Sequence, residues 1–97
     1  MTALLIVVVD VDPEHEDEFN RWYDEEHIPE KRATRGFRSA HRYASHDVPG
    51  RYLAVYEVDD ADVVTSAEYM TQTMSERAHA VMATWHLVDR SVWTLLE

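Results

Sequence analysis

An apolar run near the N-terminus, residues 3–11, restricts the possible folds more than any other segment. It is rich in valine, contains neither glycine nor proline, and is followed by Asp12-Pro13. β-Branched residues favour strands, and a run without polar alternation is typical of a strand that is covered on both faces. The run lacks a basic segment before it and is too short to span a bilayer. We therefore expect a buried strand in a single cytoplasmic domain, residues 1–97.

The rest of the chain alternates between helical and strand patterns. Asp12 is suited to cap a helix that begins at Pro13 and ends at about residue 27 or 28, because Pro29 disfavours helical geometry at the residue before it. Two strands joined by a Pro-Gly turn, a helical region in two pieces and a last strand follow, at residues 37–45, 51–58, 63–70, 75–84 and 87–96. The order β-α-β-β-α-β predicts an α+β, ferredoxin-like fold with a four-stranded antiparallel sheet and two helices on one face.

Composition excludes several classes of function. Lysine and arginine number 9 against 19 aspartates and glutamates, which gives a formal net charge of −10. This charge argues against binding to nucleic acid, which requires a cationic face, and against docking on anionic membranes. The absence of cysteine excludes disulfides and thiol nucleophiles. None of the six histidines stands in His-x-x-x-His or His-Glu-x-x-His register, so we expect no metal site.

The distribution of apolar residues predicts a partner. Two helices can cover only one face of the sheet, but Val7 and Val9 alternate with Ile6 and Val8 in the first strand, so both of its faces are apolar. An uncovered apolar face of that size indicates an interaction surface. The simplest occupant is a second copy of the chain, bound sheet to sheet with two-fold symmetry. We predict a homodimer through the open sheet face.

The first helix carries an unusual inward stripe near its C-terminal end. Residues three and four apart share a helical face, and here those residues are Phe19, Trp22, Tyr23, Glu26 and His27. An ordinary amphipathic helix fills such positions with aliphatic residues. The polar tips of this stripe are either satisfied at the rim of the core or exposed to a cavity.

The segment from Trp22 to Pro29, followed by Gly36-Phe37 at the start of a strand, resembles the dimeric α+β barrel superfamily. It is closest to the EthD-like branch, whose first helix ends in a Tyr-x-x-x-His-x-Pro pattern. Members of the superfamily include antibiotic-biosynthesis monooxygenases, muconolactone-type isomerases and polyketide cyclases. Most of them work without a metal or an organic cofactor, in a cavity between the helices and the sheet of each subunit. The resemblance implies a dimer, no cofactor, and a site at His27 and Tyr23.

A second likeness is to plant olivetolic acid cyclase, which uses a Tyr/His pair just before its last strand. By that likeness the counterparts in this chain are Tyr69 and His79. The spacing between these two residues differs from that of the cyclase, because residues 70–75 are extra.

Several side chains have two possible roles. His27 is either a general acid/base or a histidine that complements the C-terminal end of the helix dipole. His41 and Tyr43 share a predicted strand face with Phe37, and this face points either into the cavity or toward the dimer partner. Arg90 either binds an anionic substrate group or pairs with a carboxylate.

We predict a cofactor-independent enzyme that acts by proton transfer on a small aromatic or polyketide-like carbonyl compound, as an isomerase, cyclase or lyase. His27 moves the proton and Tyr23 orients it or polarises a carbonyl, with His79 and Tyr69 as the second pair. The residues predicted to contact substrate are Phe19, Trp22, Glu26, His41, Tyr43 and Arg90. The alternatives are a non-catalytic dimeric small-molecule-binding protein and a cofactor-free monooxygenase.

Overall fold

The computed structural model describes residues 1–97 and has the predicted order of strands and helices. The strands are β1 (Ala3–Val11), β2 (Phe37–Ala44), β3 (Arg51–Val58) and β4 (Trp85–Thr94). The helices are α1 (Glu16–Trp22), α2 (Ile28–Arg32), α3 (Ala67–Met70) and α4 (Glu76–Met82), with a π-helical turn at Tyr23–His27 and 3₁₀ turns at Pro13–His15 and Ala61–Thr65. The sheet has four antiparallel strands in the order β2-β3-β1-β4. The predicted α+β, ferredoxin-like fold is therefore confirmed.

The helices pack on one face of the sheet, where the core lies. Alternate residues of β1 are buried under the helices, among them Leu5 and Val9. The intervening residues Leu4, Ile6 and Val8 point to the opposite face, which we call the open face. Within one chain β1 is therefore covered on one face only, and the expectation that both faces are covered is wrong for a single copy. No helix of the chain is both long enough and apolar enough to cross a membrane.

The first helix does not end before Pro29, as the sequence predicts, but continues to Arg32. The π-helical turn explains this difference, because the amide N–H of Ile28 donates to the carbonyl of Tyr23, five residues earlier. In a regular helix the ring of Pro29 would clash with the carbonyl four residues before it. A wider turn at this point makes room for the ring and lets the helix continue. The same turn carries the predicted site residues Tyr23 and His27.

A β-bulge in β2 changes which residues share a face. Phe37 pairs with Val58, whereas Ser39 pairs with the next residue of β3, so Arg38 is the extra residue. A single extra residue shifts the two-residue alternation of a strand. Phe37 is therefore buried under the helices, but His41 and Tyr43 are exposed on the open face. The prediction that these three side chains share a face is wrong.

A second bulge lies in β4. Val8 pairs with Asp89 and Val9 pairs with Leu87, which leaves Val88 unpaired. Leu87 consequently faces the helices together with Arg90, and not the open face as simple alternation predicts.

Candidate active site

A cavity of about 370 Å³ lies between the first helix, the sheet and the segment from α3 to α4. This volume falls within the range of about 300–1,000 Å³ that is usual for sites of small organic ligands. Most of the wall is apolar, and its few polar groups are therefore conspicuous. The wall consists of Tyr23, His27, Glu30 and Lys31 from the first helix, Leu5, Val7, Tyr56, Trp85, Leu87 and Arg90 from the sheet, and Tyr69, Met70, Gln72, Met74, Ala78 and Met82 from the remaining segment.

His27 lies at the end of the π-helical turn and contributes its ring to this wall. The ring stacks on Trp22 with 4.5 Å between centroids, and it meets the edge of Tyr23 at 4.9 Å. Burial lowers the pKa of His27 to about 3, and the positive charges of Lys31 and Arg42 contribute further to this lowering. His27 is therefore a neutral imidazole near neutral pH, with one nitrogen free to accept a proton or a hydrogen bond.

The side chains behind His27 hold it in place. Trp22 and Phe19 are fully buried, and the indole N–H of Trp22 donates to the carboxylate of Glu26. None of these three residues belongs to the cavity wall. Phe19 and Trp22 lie one layer behind the wall in the aromatic core, and the Glu26 carboxylate accepts the hydrogen bond from Trp22. Contact of these three residues with substrate stays a prediction.

Two tyrosines stand beside His27 in the wall, and both keep their protons. Burial raises the pKa of Tyr23 above its ordinary value. Burial also raises the pKa of Tyr56, and the adjacent Tyr23 raises it further. The Tyr56 hydroxyl is fully buried and has no hydrogen-bond partner in the protein. The alternation along β3 places Tyr56 on one face of the strand without deciding whether that face meets the helices or the dimer partner, and nothing in the sequence indicates that its hydroxyl is unsatisfied.

A polar connection closes one side of the cavity. The Lys31 ammonium donates to the side-chain oxygen of Gln72 at 2.6 Å, and the amide of Gln72 donates to the Thr34 hydroxyl. The same ammonium lies 4.9 Å from the ring centroid of Tyr69. These contacts attach the segment between α3 and α4 to α2. Lys31 and Gln72 were not predicted from the sequence, because they lie 41 residues apart.

Arg90 is the second cation of the wall, and it differs from most other arginines of the chain. The arginines that pair with a carboxylate are Arg21, Arg38, Arg42, Arg51 and Arg77. Arg90 has no carboxylate within ion-pair distance, although the chain carries 19 aspartates and glutamates. Of the two roles that the sequence left open for Arg90, pairing with a carboxylate is therefore not observed.

The second predicted pair, Tyr69 and His79, is not brought together at the cavity. Tyr69 contributes to the wall, where its ring stacks on Phe37 at 5.6 Å. His79 is exposed, because α4 turns Ala78 and Met82 toward the cavity and His79 away from it. His41 and Tyr43 are also outside the cavity, on the open face, as a consequence of the bulge in β2.

Solved structures with the same fold come from several proteins. HapK from Hahella chejuensis is similar over 97% of this chain and 92% of its own, with 12% identity and a TM-score of 0.72. A variant of SnoaB from Streptomyces nogalater, a cofactor-independent oxygenase, is similar over 99% and 94%, with 16% identity and a TM-score of 0.66. An antibiotic biosynthesis monooxygenase is similar over 95% and 93%, with 15% identity and a TM-score of 0.63. Identities this low show the fold alone, which is the dimeric α+β barrel fold.

By sequence, residues 2–92 match the profile of a family described as a domain of unknown function, DUF4286. No curated protein matches the chain.

Proposed function

The chain belongs to the DUF4286 family, and we propose that it is a cofactor-independent enzyme that moves a proton on a small aromatic or polyketide-like carbonyl compound. The observation that carries this proposal is a neutral, desolvated His27 in the wall of an apolar cavity. A neutral imidazole in such a site can act as a general base.

The low pKa of His27 limits the substrates that it can deprotonate. Lowering the pKa from 6.5 to about 3 makes protonation of the imidazole less favourable by about 5 kcal/mol. A negative charge formed about 4 Å away would recover about 4 kcal/mol at the effective dielectric of a protein surface site. Proton transfer therefore requires that an oxyanion form directly beside the imidazolium. An activated C–H next to a carbonyl, or a phenol, meets this requirement.

The C–H bond next to the carbonyl breaks, its proton passes to the free nitrogen of His27, and its electron pair forms the carbon–carbon double bond of an enolate. Tyr23, whose raised pKa keeps it protonated, donates a hydrogen bond to the enolate oxygen. Return of the proton to a different carbon completes an isomerisation. In a cyclisation the enolate carbon forms a bond to a second carbonyl carbon, the electron pair of that C=O bond moves to its oxygen, and this alkoxide takes the proton back from His27.

A second candidate is a cofactor-free monooxygenase. Its support is the similarity in fold to SnoaB, a cofactor-independent oxygenase, and to an antibiotic biosynthesis monooxygenase. In this reaction the same enolate reduces dioxygen, so that a methylene group and one O₂ become a carbonyl group and one water. The first step, removal of a proton by His27, is shared by both candidates.

The active unit that we propose is a homodimer joined through the open face. Structures with this fold are typically dimeric. In this chain the open face carries Leu4, Ile6, Val8 and Trp93, and Trp93 is 59% exposed in the single copy. The likeness to the EthD-like branch and the cytoplasmic location stay predictions from the sequence.

The experiment starts with a thermal-shift screen of aromatic and polyketide-like carbonyl compounds, since a ligand of the native state raises the unfolding midpoint. Compounds that stabilise the protein are then incubated in D₂O with wild type, with His27→Gln, and with His79→Gln as a matched control on an exposed histidine. We expect wild type and the control to catalyse deuterium incorporation next to the carbonyl, and His27→Gln to lose it. Oxygen uptake that also depends on His27 would favour the monooxygenase. Ligand binding without exchange, uptake or product in wild type would contradict both enzymes and leave a non-catalytic binding protein.

A further inference from the structure

We propose that Lys31 is a further catalytic residue of the cavity, whose ammonium binds the oxyanion that forms when His27 removes a proton from the substrate. This inference deepens the proposed function and rests on it, because it assigns a second group to the same step. Three features support it: the position of Lys31 in the wall, the partners of its ammonium, and the action of its charge on His27.

Lys31 lies one helical turn after His27 and belongs to the same cavity wall. The backbone between them is helical, since His27 and Ile28 both have α-helical dihedral angles and Lys31 lies within α2. Residues four positions apart on a helix share a face, with about 5–6 Å between their Cβ atoms. A ligand atom that meets the imidazole of His27 is therefore within reach of the long side chain of Lys31.

The ammonium of Lys31 is held in the wall but is not closely paired with a carboxylate. Its side chain is only 12% exposed, and its hydrogen bond to the side-chain oxygen of Gln72 is 2.6 Å long. The nearest carboxylate oxygen, from Glu30, is 3.5 Å away, whereas Arg51 and Arg77 approach their carboxylates to 2.7 Å and 2.9 Å. An ammonium has three donors, so these two contacts leave one donor for a ligand.

The charge of Lys31 already acts on the site. Burial is the largest cause of the lowered pKa of His27, and the charge of Lys31 is the next, ahead of Arg42, which lies outside the wall. A cation that disfavours a positive imidazolium favours a negative oxygen in the same place. Arg90, the other cation of the wall, is not among the groups that lower the pKa of His27. Of the two wall cations, Lys31 is therefore the one whose charge reaches the base.

In the proposed step Lys31 keeps its own proton. The proton of the C–H bond passes to His27, the negative charge rests on the enolate oxygen, and the ammonium donates a hydrogen bond to that oxygen beside Tyr23. Hydrogen bonds between charged groups are stronger than those to neutral groups, so Lys31 stabilises the enolate more than the carbonyl from which it forms. Only interactions that strengthen as the reaction proceeds accelerate it. Gln72 is a positioning residue, because its side-chain oxygen fixes the ammonium.

Two nitroaromatic probes test this contact without any turnover. 4-Nitrophenol ionises to a coloured phenolate, which imitates the oxyanion, and 4-nitroanisole has the same ring but no ionisable proton. The affinity for each probe, and the ratio of bound phenolate to bound phenol, are measured by absorbance titration over a range of pH. The proteins are wild type and three variants, Lys31→Gln, Lys31→Met and Lys31→Arg.

Two further variants serve as controls. Arg32→Gln removes a cation from the next residue of the same helix, where the side chain is exposed and lies outside the wall. The whole set is repeated in combination with His27→Gln, where no imidazole can take the proton of the phenol. The ratio of phenolate to phenol then reports the action of the cation alone.

We expect Lys31→Gln and Lys31→Met to lower the ratio of bound phenolate to bound phenol, at one pH, by about 10-fold to 100-fold, which is the usual effect of a hydrogen bond to a charged group. Their affinity for 4-nitroanisole should stay as in wild type. Lys31→Arg keeps the charge and should stay closer to wild type than to Lys31→Gln. Arg32→Gln should match wild type, and the same order should hold in combination with His27→Gln.

A second measurement needs no variant. Lys31 is the only lysine of the chain, so protein labelled with ¹³C-lysine gives a single lysine Cε signal in NMR spectra. We expect this signal to shift more when the phenolate binds at alkaline pH than when 4-nitroanisole binds, because only the phenolate brings a negative charge to the ammonium.

The inference is overturned if the ratio of phenolate to phenol is independent of the charge at residue 31, if Lys31→Gln and Lys31→Met weaken 4-nitroanisole as strongly as the phenolate, if the lysine signal does not distinguish the two probes, or if neither probe binds wild type at millimolar concentration. Its failure differs from that of the proposed function. A ratio that depends on Lys31, with deuterium exchange that His27→Gln leaves unchanged, would contradict the proposed chemistry alone. Exchange that depends on His27, with a ratio that does not depend on Lys31, would contradict this inference alone.

Discussion

Replacing His27 by glutamine should remove a specific sensitivity of the folded protein to acid. The pKa of His27 is about 3 in the folded protein because burial penalises the charged form, whereas an unfolded chain restores the ordinary value of 6.5. As the pH falls below 6.5, the unfolded state binds a proton that the folded state does not, so stability falls with pH down to the folded pKa. This contribution to stability is fully present above the unfolded pKa.

The size of the effect follows from the two pKa values. At about pH 5 the free energy of unfolding should be about 2 kcal/mol lower than at about pH 8 through His27 alone, and the full difference between the two pKa values corresponds to about 5 kcal/mol. Carboxylates and other histidines also titrate, but they are shared by wild type and variant. Their contributions cancel when the pH-dependent changes of the two proteins are subtracted.

Urea unfolding followed by tryptophan fluorescence measures this difference at both pH values, at one protein concentration so that association does not vary. Between about pH 8 and about pH 5, the free energy of unfolding of His27→Gln should fall by about 2 kcal/mol less than that of wild type. His79→Gln, at an exposed position, should behave as wild type does. If the free energy of unfolding falls equally in wild type and His27→Gln, the reasoning is refuted. An equal decrease would mean that His27 is protonated freely in the folded protein and that the site is not desolvated.

Three further changes test the packing around the site and the open face. Tyr56→Phe removes an unpartnered hydroxyl, so it should leave the free energy of unfolding unchanged or raise it by about 1 kcal/mol. Tyr52→Phe, the control, loses a hydrogen bond from Asn20 and should lower the free energy of unfolding by about 1 kcal/mol. A large decrease in the free energy of unfolding of Tyr56→Phe would show that the Tyr56 hydroxyl is satisfied. Ile6→Asp places a charge on the open face and should convert a dimer into a monomer in light scattering, and an unchanged mass would contradict a dimer through this face. Gln72→Ala should lower the free energy of unfolding by about 1–2 kcal/mol in urea titrations, because Lys31 and Thr34 both lose a partner; no change would show that the polar connection adds nothing.

The sequence was sufficient for the order of the elements and for the central position of β1. Long periodic segments carry that information, and the common helical face of Tyr23 and His27 could be predicted for the same reason. The sheet face that each side chain of β2 and β4 takes could not be predicted from the sequence. Arg38 and Val88 are single extra residues, and a bulge leaves the composition of a strand unchanged while it reverses the alternation that follows.

The candidate site was predictable where it depends on one helix and not where it depends on contacts between distant segments. His27 and Tyr23 are four residues apart, so their common face follows from helical geometry. The approach of Lys31 to Gln72 and the missing partner of Tyr56 depend on the packing of several elements. These features are properties of the tertiary structure, and no local pattern encodes them.

The π-helical turn has a consequence for comparing this chain with its relatives. Such a turn amounts to one residue inserted into an α-helix, and each residue of a regular helix turns the chain by about 100°. A relative that lacks one residue between Tyr23 and His27 would keep the aromatic anchors of α1 but rotate everything that follows. A different side chain would then enter its cavity, even if a histidine stands in the aligned column. Family members that share this fold can therefore differ in their chemistry through the length of one turn, without any substitution in the cavity wall.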